Sequence, residues 1–220
     1  MDWDAHAVRQ ERRYRDGNSR LPGLPEDPDA RQKQLVRMAM AAGAAGLCRL
    51  MQGRDAEARG WFARSAERYR ESYEHAPPGS WGRPVGALKA RVLAGDWAGA
   101  ARDAGWVREA GSGDEDSPVA RYAGALAAHI LEDDAEAARL AASLRVGGSF
   151  PPAVAAALAA LAAGDGDSYR DAAGLVLRSF EERDAYLEDV PVADTVLVLE
   201  ALAARRGLAA GLESPLLPAR

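Results

Sequence analysis

The sequence has few of the residue types on which catalytic and metal sites depend. It holds three histidines and a single cysteine, Cys48, among 220 residues. One cysteine excludes an intramolecular disulfide framework, and no paired thiols are present to hold zinc. The chain also lacks the Gly-rich phosphate loop, the His-Glu-x-x-His helix and the Gly-x-Ser-x-Gly elbow. We therefore expect no catalytic residues, no metal site and no cofactor.

The sequence also lacks an excess of basic side chains and any long apolar run. Residues 1–76 carry 14 basic and 12 acidic side chains, a net charge of +2, whereas residues 77–220 carry 14 and 21, a net charge of −7. Phosphate contacts need a basic stripe, so this balance argues against a nucleic-acid partner. The apolar run over 153–163 is too short to span a bilayer, and the N-terminus lacks the order of a signal peptide. We expect a cytoplasmic chain without a membrane partner.

Helical periodicity is the dominant pattern of the sequence. Alanine, the best helix former, supplies much of the apolar content. In the segment 55–76, Ala58, Phe62, Ala66, Tyr69 and Tyr73 recur at steps of three and four residues. The pattern predicts helices over about 3–16, 28–52, 55–76, 83–94, 96–110, 117–132, 134–145, 151–163, 167–187 and 191–206. A Pro/Gly segment at 21–25 divides the chain into an N-terminal helix with linker, 1–26, and a single helical-repeat domain, 27–220.

A recurring turn organises the predicted domain. The turn residues Gly53, Gly95 and Asp133 are each followed, five residues later, by an alanine: Ala58, Ala100 and Ala138. A weaker fourth copy places Tyr169 after Gly164. Glycine or aspartate accepts the turn backbone, and a small alanine allows two antiparallel helices to approach closely. Such hairpins bury their apolar faces by stacking on neighbours.

The segment 50–58, Leu-Met-Gln-Gly-Arg-Asp-Ala-Glu-Ala, resembles the middle of a tetratricopeptide repeat, as does the segment 93–100 with Trp97 at an aromatic position. The resemblance implies an all-α fold of antiparallel helix hairpins, stacked as an α-α superhelix that binds a protein or peptide on its concave face. The turns are spaced by 42, 38 and 31 residues rather than by a regular 34. A compact helical-repeat bundle therefore stays open, and a homodimer is compatible with either arrangement.

The end of the chain carries a second resemblance. Residues 202–208, Leu-Ala-Ala-Arg-Arg-Gly-Leu, followed by 213–218, Glu-Ser-Pro-Leu-Leu-Pro, are similar to the tail of immunity protein 49-type proteins. That resemblance implies a bacterial immunity protein that neutralises a cognate toxin by direct binding. It is the alternative to a scaffold or adaptor module, and an enzyme on a helical-repeat scaffold is a third hypothesis.

Five residues are candidates for contact with a partner. Trp81 lies in a Pro/Gly-rich loop with Arg83 nearby, a setting typical of recognition anchors, although it could equally fill a gap between hairpins. Lys89, Arg121, Tyr122 and His129 belong to the first helices of predicted pairs, which in a tetratricopeptide-like stack line the concave face. Ordinary polar residues at the boundary of the core are the competing interpretation.

Two patterns would suit a cation. His129 and Asp133 lie four residues apart, a spacing that can chelate a metal, and an acidic run extends from Glu181 to Asp189. The alternatives are a histidine favoured by the dipole at a helix C-terminus and a solvated acidic surface.

Overall fold

The computed structural model describes residues 1–113, 115–146 and 149–219. Over these ranges the chain is helical, with no strand, so the predicted all-α fold is confirmed. The helices are α1 (Trp3–Arg20), α2 (Pro28–Met51), α3 (Asp55–Glu74), α4 (Gly82–Leu93), α5 (Trp97–Glu109), α6 (Pro118–Ile130), α7 (Asp134–Leu144), α8 (Pro152–Ala163), α9 (Gly166–Glu181) and α10 (Asp194–Ala204).

Contacts divide the chain into two compact units. Unit 1 comprises Met1–Asp96, the segment Asp184–Val192 and the last described residues from Leu217. In it α2 packs against α1 and α3, and α3 packs against α4. Unit 2 comprises Trp97–Arg183 and Ala193–Leu216. There each helix from α5 to α9 packs against the next, and α10 packs against α8 and α9. The domain boundary predicted after residue 26 lies within unit 1.

The four turns that end α2, α4, α6 and α8 share one backbone conformation, which also occurs at Gly111 and Gly207. The residue at each turn is left-handed, with φ of 70° at Gly53, 67° at Gly95, 60° at Glu132 and 68° at Gly164. The next backbone N–H then donates to the carbonyl five residues back, at 2.9 Å for Arg54, 3.1 Å for Asp96, 2.9 Å for Asp133 and 3.0 Å for Asp165. This is the Schellman arrangement, which satisfies the last carbonyls of the preceding helix.

The predicted register of the third turn is wrong by one residue. The left-handed position is Glu132, and Asp133 instead caps α7, where its Oδ1 accepts a hydrogen bond from the Glu136 N–H at 3.2 Å. The core residue five positions after the turn is accordingly the fully buried Ala137, and the predicted Ala138 is exposed. Aspartate is strongly favoured at the N-cap, so Asp133 caps α7. Glu132, the residue before it, therefore adopts the strained left-handed conformation.

With that register, each of the four turns places a buried side chain five residues later. Ala58, Ala100, Ala137 and Tyr169 are each at most 1% exposed. Ala58, Ala100 and Tyr169 are the residues predicted for these positions, whereas Ala137 replaces the predicted Ala138. The Tyr169 hydroxyl donates to Glu200 Oε1 at 2.8 Å, which satisfies the polar end of an otherwise buried ring.

Helices α2 and α3 approach each other closely because α2 is lined with small residues. The Ser65 hydroxyl donates to the Ala39 carbonyl at 2.8 Å, beside Gly43. One turn further along, the Phe62 ring lies so near Gly46 that a Cβ there would be 2.7 Å from two ring carbons. Phe62, in the first half of the apolar stripe predicted on α3, therefore meets α2, whereas Tyr69 and Tyr73 of the same stripe lie against Gly86 and the N-cap residue Trp81 of α4.

Two predicted helix ends differ from the structure for tertiary reasons. Helix α1 continues past residue 16 to Arg20, because Gly17 lies against Met38 of α2, where a Cβ would be 2.6 Å from Cγ. Helix α10 begins at Asp194 rather than at 191, because Ala193 donates its N–H to the Leu216 carbonyl at 3.0 Å.

Helix α9 ends at Glu181, six residues before the predicted end at 187. The chain that follows, Asp184–Val192, belongs to unit 1 and contains two consecutive left-handed residues, Glu188 and Asp189, both with φ of 57°. The Glu188 carboxylate pairs with Arg13 of α1, and its carbonyl accepts a hydrogen bond from Gln10 Nε2 at 3.0 Å. These contacts hold a conformation that non-glycine residues rarely adopt.

We predict that Gly46→Ala destabilises the protein despite the higher helix propensity of alanine. The new methyl group would overlap the Phe62 ring, so we expect a loss of about 1–3 kcal/mol in the free energy of unfolding, measured by urea denaturation. Gly60→Ala in α3 is the matched control. Its Cβ would meet only the Arg64 guanidinium at 3.4 Å, so we expect a gain of about 0.5–1 kcal/mol. Equal effects of the two substitutions would contradict the close approach of α2 and α3.

We predict opposite signs for substitutions at two of the turns. Gly53→Ala should lower the free energy of unfolding by about 1 kcal/mol, because no neighbour lies within 4 Å of the added Cβ and only the left-handed backbone penalises it. Glu132→Gly should raise it by up to about 1 kcal/mol, since the exposed ion pair with Arg205 that it removes contributes little. Thermal and urea unfolding of both variants would measure this, and a neutral Gly53→Ala would contradict it.

Candidate functional site

The predicted recognition residue Trp81 lies inside unit 1. It is the N-cap residue of α4 and only 2% exposed, and its ring centroid lies 5.9 Å from that of Tyr73. Its buried Nε1 finds no hydrogen-bond acceptor among the described residues. Trp81 thus fills space between α3 and α4, and Lys89, two turns along α4, is half-buried.

The other three predicted residues share α6 in unit 2. Arg121 pairs with Asp116, with 2.5 Å between Nη2 and Oδ1. Tyr122 is buried, and its ring centroid lies 5.2 Å from that of Phe150. His129 is 2% exposed, near the C-terminal end of the helix. Of the three, only Arg121 reaches solvent appreciably, and a role of these residues in partner binding stays a prediction.

His129 forms a buried polar contact with α8. Its Nε2 lies 3.1 Å from the Leu158 carbonyl, so the neutral ring carries its proton on Nε2 and donates there. The buried Nδ1 has no partner among the described residues. Burial, and then the positive charge of Arg206, lower the pKa of His129 to about 4. The ring is therefore neutral at physiological pH.

Arg206 lies just beyond α10 and joins it to two other helices. Its Nη1 donates to the Leu161 carbonyl of α8 at 3.3 Å and pairs with Asp134 Oδ1 of α7 at 2.6 Å. A cation at the C-terminal carbonyls of a helix is a favourable placement. The His129 and Arg206 contacts thus tie α6, α7, α8 and α10 together, which gives both residues a structural role.

No metal site accompanies His129. Within the described ranges, no group of three or more His, Cys, Asp or Glu side chains is arranged to hold a metal ion. The His129–Asp133 spacing is instead explained by the contact with Leu158 and by the cap that Asp133 provides to α7. The acidic run is divided, since α9 ends at Glu181 and Glu188 docks on α1.

Arg83, which the sequence indicates only as a neighbour of Trp81, is the most distinctive cation of unit 1. It lies in the first turn of α4 and is partly buried. Its Nε donates to the Ser72 hydroxyl of α3 at 2.9 Å, and its Nη2 donates to the Gln32 side-chain oxygen of α2. Ser72 in turn donates to the Gln32 backbone carbonyl at 2.8 Å. Three helices therefore fix the position of this guanidinium.

Arg83 is bound by neutral groups only. No ion pair joins it to a carboxylate among the described residues, and burial lowers its pKa, because burial disfavours the charged form. The nearest acid in its network, Asp29, reaches it only through the Gln32 amide, whose Nε2 donates to Asp29 Oδ1 at 2.8 Å. Asp29 already pairs with Lys33.

In a second polar cluster of unit 1, the buried arginine is paired with carboxylates of the protein itself. Buried Arg49 donates to Glu11 Oε1 from Nε at 2.9 Å and from Nη2 at 2.7 Å, and to Asp4 from Nη1 at 2.9 Å. Hydrogen bonds to these two carboxylates favour its charged form. This cluster fastens α1 to α2, and its charges are matched within the protein.

Over the ranges that the structure describes, neither a reactive thiol nor a helix that could cross a membrane is found. Burial raises the pKa of the Cys48 thiol to about 11, so it stays protonated at neutral pH and is a poor nucleophile. None of the helices in the described ranges combines the length and the apolar character that a bilayer crossing requires.

We predict that His129 makes the protein less stable in mild acid. The unfolded chain takes up a proton near pH 6.5, whereas folded His129 does so only near pH 4, so stability falls as the pH is lowered between these values. The difference amounts to about 3 kcal/mol at most. Urea denaturation of the wild type from pH 7.5 to 4 should show this loss, and His129→Gln should remove the part due to this residue.

An NMR titration provides the control for that prediction. The His129 ring should titrate below about pH 5, and Arg206→Gln should raise its pKa, because a repulsive positive charge is removed. A His129 pKa above 6, or a His129→Gln variant with the full wild-type slope, would contradict the interpretation.

Comparisons of the chain with protein-family models, with curated proteins and with solved structures give no significant match.

Proposed function

We propose that the chain is a tetratricopeptide-like helical-repeat module that binds a protein or peptide and does not catalyse a reaction. The observation that carries the proposal is the repeated turn: a left-handed residue, a bond to the carbonyl five residues back and a buried side chain five residues later. Proteins built from such repeated helix pairs commonly present surfaces for partners. The left-handed residues are 42, 37 and 32 residues apart, which brackets the 34-residue period of that family.

The polar chemistry of the two units supports a binding role. The His129, Arg206 and Arg49 contacts hold helices together, and Cys48 is protonated and buried. Arg83 differs, because it is a fixed cation that the described residues leave without a counter-charge. A charged group that is oriented in advance suits recognition, since little side-chain entropy is lost on binding.

The immunity-protein alternative depends on tail residues that have a structural role within unit 2. Glu200 accepts hydrogen bonds from the backbone N–H groups of Ala210 and Gly211 at 3.0 and 2.9 Å. Ser214 donates to Glu181 at 2.7 Å. These contacts give the chain around the tail a structural role within unit 2, and toxin neutralisation stays a prediction.

Selection of peptides from a displayed random library on the folded chain tests the proposal. We expect enriched peptides that share a motif and bind with dissociation constants below about 100 μM. Amide hydrogen exchange should locate their protection on one contiguous surface, and a chelator should not change the affinity. The heat-unfolded chain is the control. Enrichment no greater than on that control would contradict the proposed function, and light scattering would show whether a homodimer forms.

A further inference from the structure

The Arg83 guanidinium is held along one edge only. A guanidinium offers five N–H donors in a planar fork. The edge formed by Nε and Nη2 faces Ser72 and the Gln32 amide oxygen. Nη1 makes no hydrogen bond to the described residues and is not among their buried, unpartnered atoms, so solvent reaches it. The edge between Nη1 and Nη2 thus keeps its donors available.

Two other arginines of unit 1, Arg49 and Arg68, show which kind of partner Arg83 lacks. Arg49 lies against Glu11 and Asp4. Arg68 pairs with Glu71, with 2.5 Å between Nη1 and Oε2, and its Nη2 donates to Asn18 at 3.0 Å. In both, at least one carboxylate accepts a hydrogen bond from the guanidinium. Arg83 has the positioning contacts but not the carboxylate.

We propose that the Nη1–Nη2 edge of Arg83 binds a carboxylate, supplied by an aspartate or glutamate side chain of an acidic peptide segment in the partner. The inference rests on the proposed peptide-binding function and names the chemistry of the ligand. Carboxylate oxygens match this edge as a bidentate acceptor, and a charge-assisted pair of bonds is stronger than bonds to neutral groups.

A singly charged group suits the site better than a phosphate. The other cations named on α2 and α3 already have a carboxylate partner, since Arg31 and Arg68 share Glu71, and Lys33 pairs with Asp29. Arg83 is therefore the one cation of these four whose donors are not already bonded to a carboxylate among the described residues. A phosphate ester with close to two negative charges would be left partly uncompensated, beside Asp29 at the other end of the Gln32 amide.

Three end-blocked, dye-labelled peptides test the proposal by fluorescence anisotropy: one of alternating alanine and glutamate, one with glutamine and one with phosphoserine at the glutamate positions. We expect the glutamate peptide to bind best, with an affinity that falls as salt is added. Arg83→Gln should weaken its binding at least ten-fold, about the value of one charge-assisted contact. Arg37→Gln, which removes an exposed arginine of α2, is the matched control and should leave the affinity within two-fold of wild type.

Two further measurements test whether the peptide contacts Arg83 itself and whether the forked guanidinium is needed. The Nε–Hε NMR signal of Arg83 should shift on addition of the glutamate peptide and not of the glutamine peptide. Arg83→Lys keeps the charge and loses the fork, so it should bind with intermediate affinity, and it replaces Arg83→Gln if that variant does not fold. Tighter binding of the phosphoserine peptide, or an unmoved Arg83 signal, would overturn the proposal.

The outcomes separate this inference from the proposed function. If library-selected peptides bind and Arg83→Gln does not weaken binding of the glutamate peptide, the carboxylate site is wrong and the peptide-binding function stands. If neither kind of peptide binds, both are wrong.

Discussion

The left-handed residue at each turn, together with the backbone bond that follows it, determines where the next helix begins. Successive residues of a helix are rotated by about 100°, so a shift of one residue would replace the whole buried face by its neighbour. The α6–α7 turn shows the effect: with Glu132 left-handed, Ala137 is buried and Ala138 is exposed. The core of each unit thus depends on a backbone conformation that glycine adopts readily and glutamate adopts at a cost.

Much of the helix pattern could be predicted from sequence because its signals are local. Asp27 before Pro28 predicts the start of α2, and in the structure the Asp27 carboxylate accepts hydrogen bonds from the next two N–H groups of the first turn, at 3.0 and 3.2 Å. The end of α9 could not be predicted in this way, because no glycine or proline follows until Pro191. It is determined by Glu188, whose contacts with α1 join residues 175 and 178 positions apart.

The candidate site was less predictable than the fold, since burial depends on what packs against a helix. Their positions along the chain predict contact with a partner for Trp81, Tyr122 and His129, yet all three are buried in their units. Arg83 is one of many arginines in the sequence and has no local signal. What distinguishes it is its contact with Gln32 and Ser72, which lie 51 and 11 residues away. Only the packing of α2, α3 and α4 brings these groups together.

The two units deal with buried polar groups in three physically different ways. Removing a charge from water is unfavourable unless a partner compensates it. Arg49 is compensated by Glu11 inside the protein, and His129 avoids the penalty because its ring stays neutral. Arg83 does neither, since hydroxyl and amide oxygens orient a guanidinium without neutralising it. Its positive charge is thus not neutralised by the described residues, and a carboxylate of a partner would bind donors that the protein has already positioned.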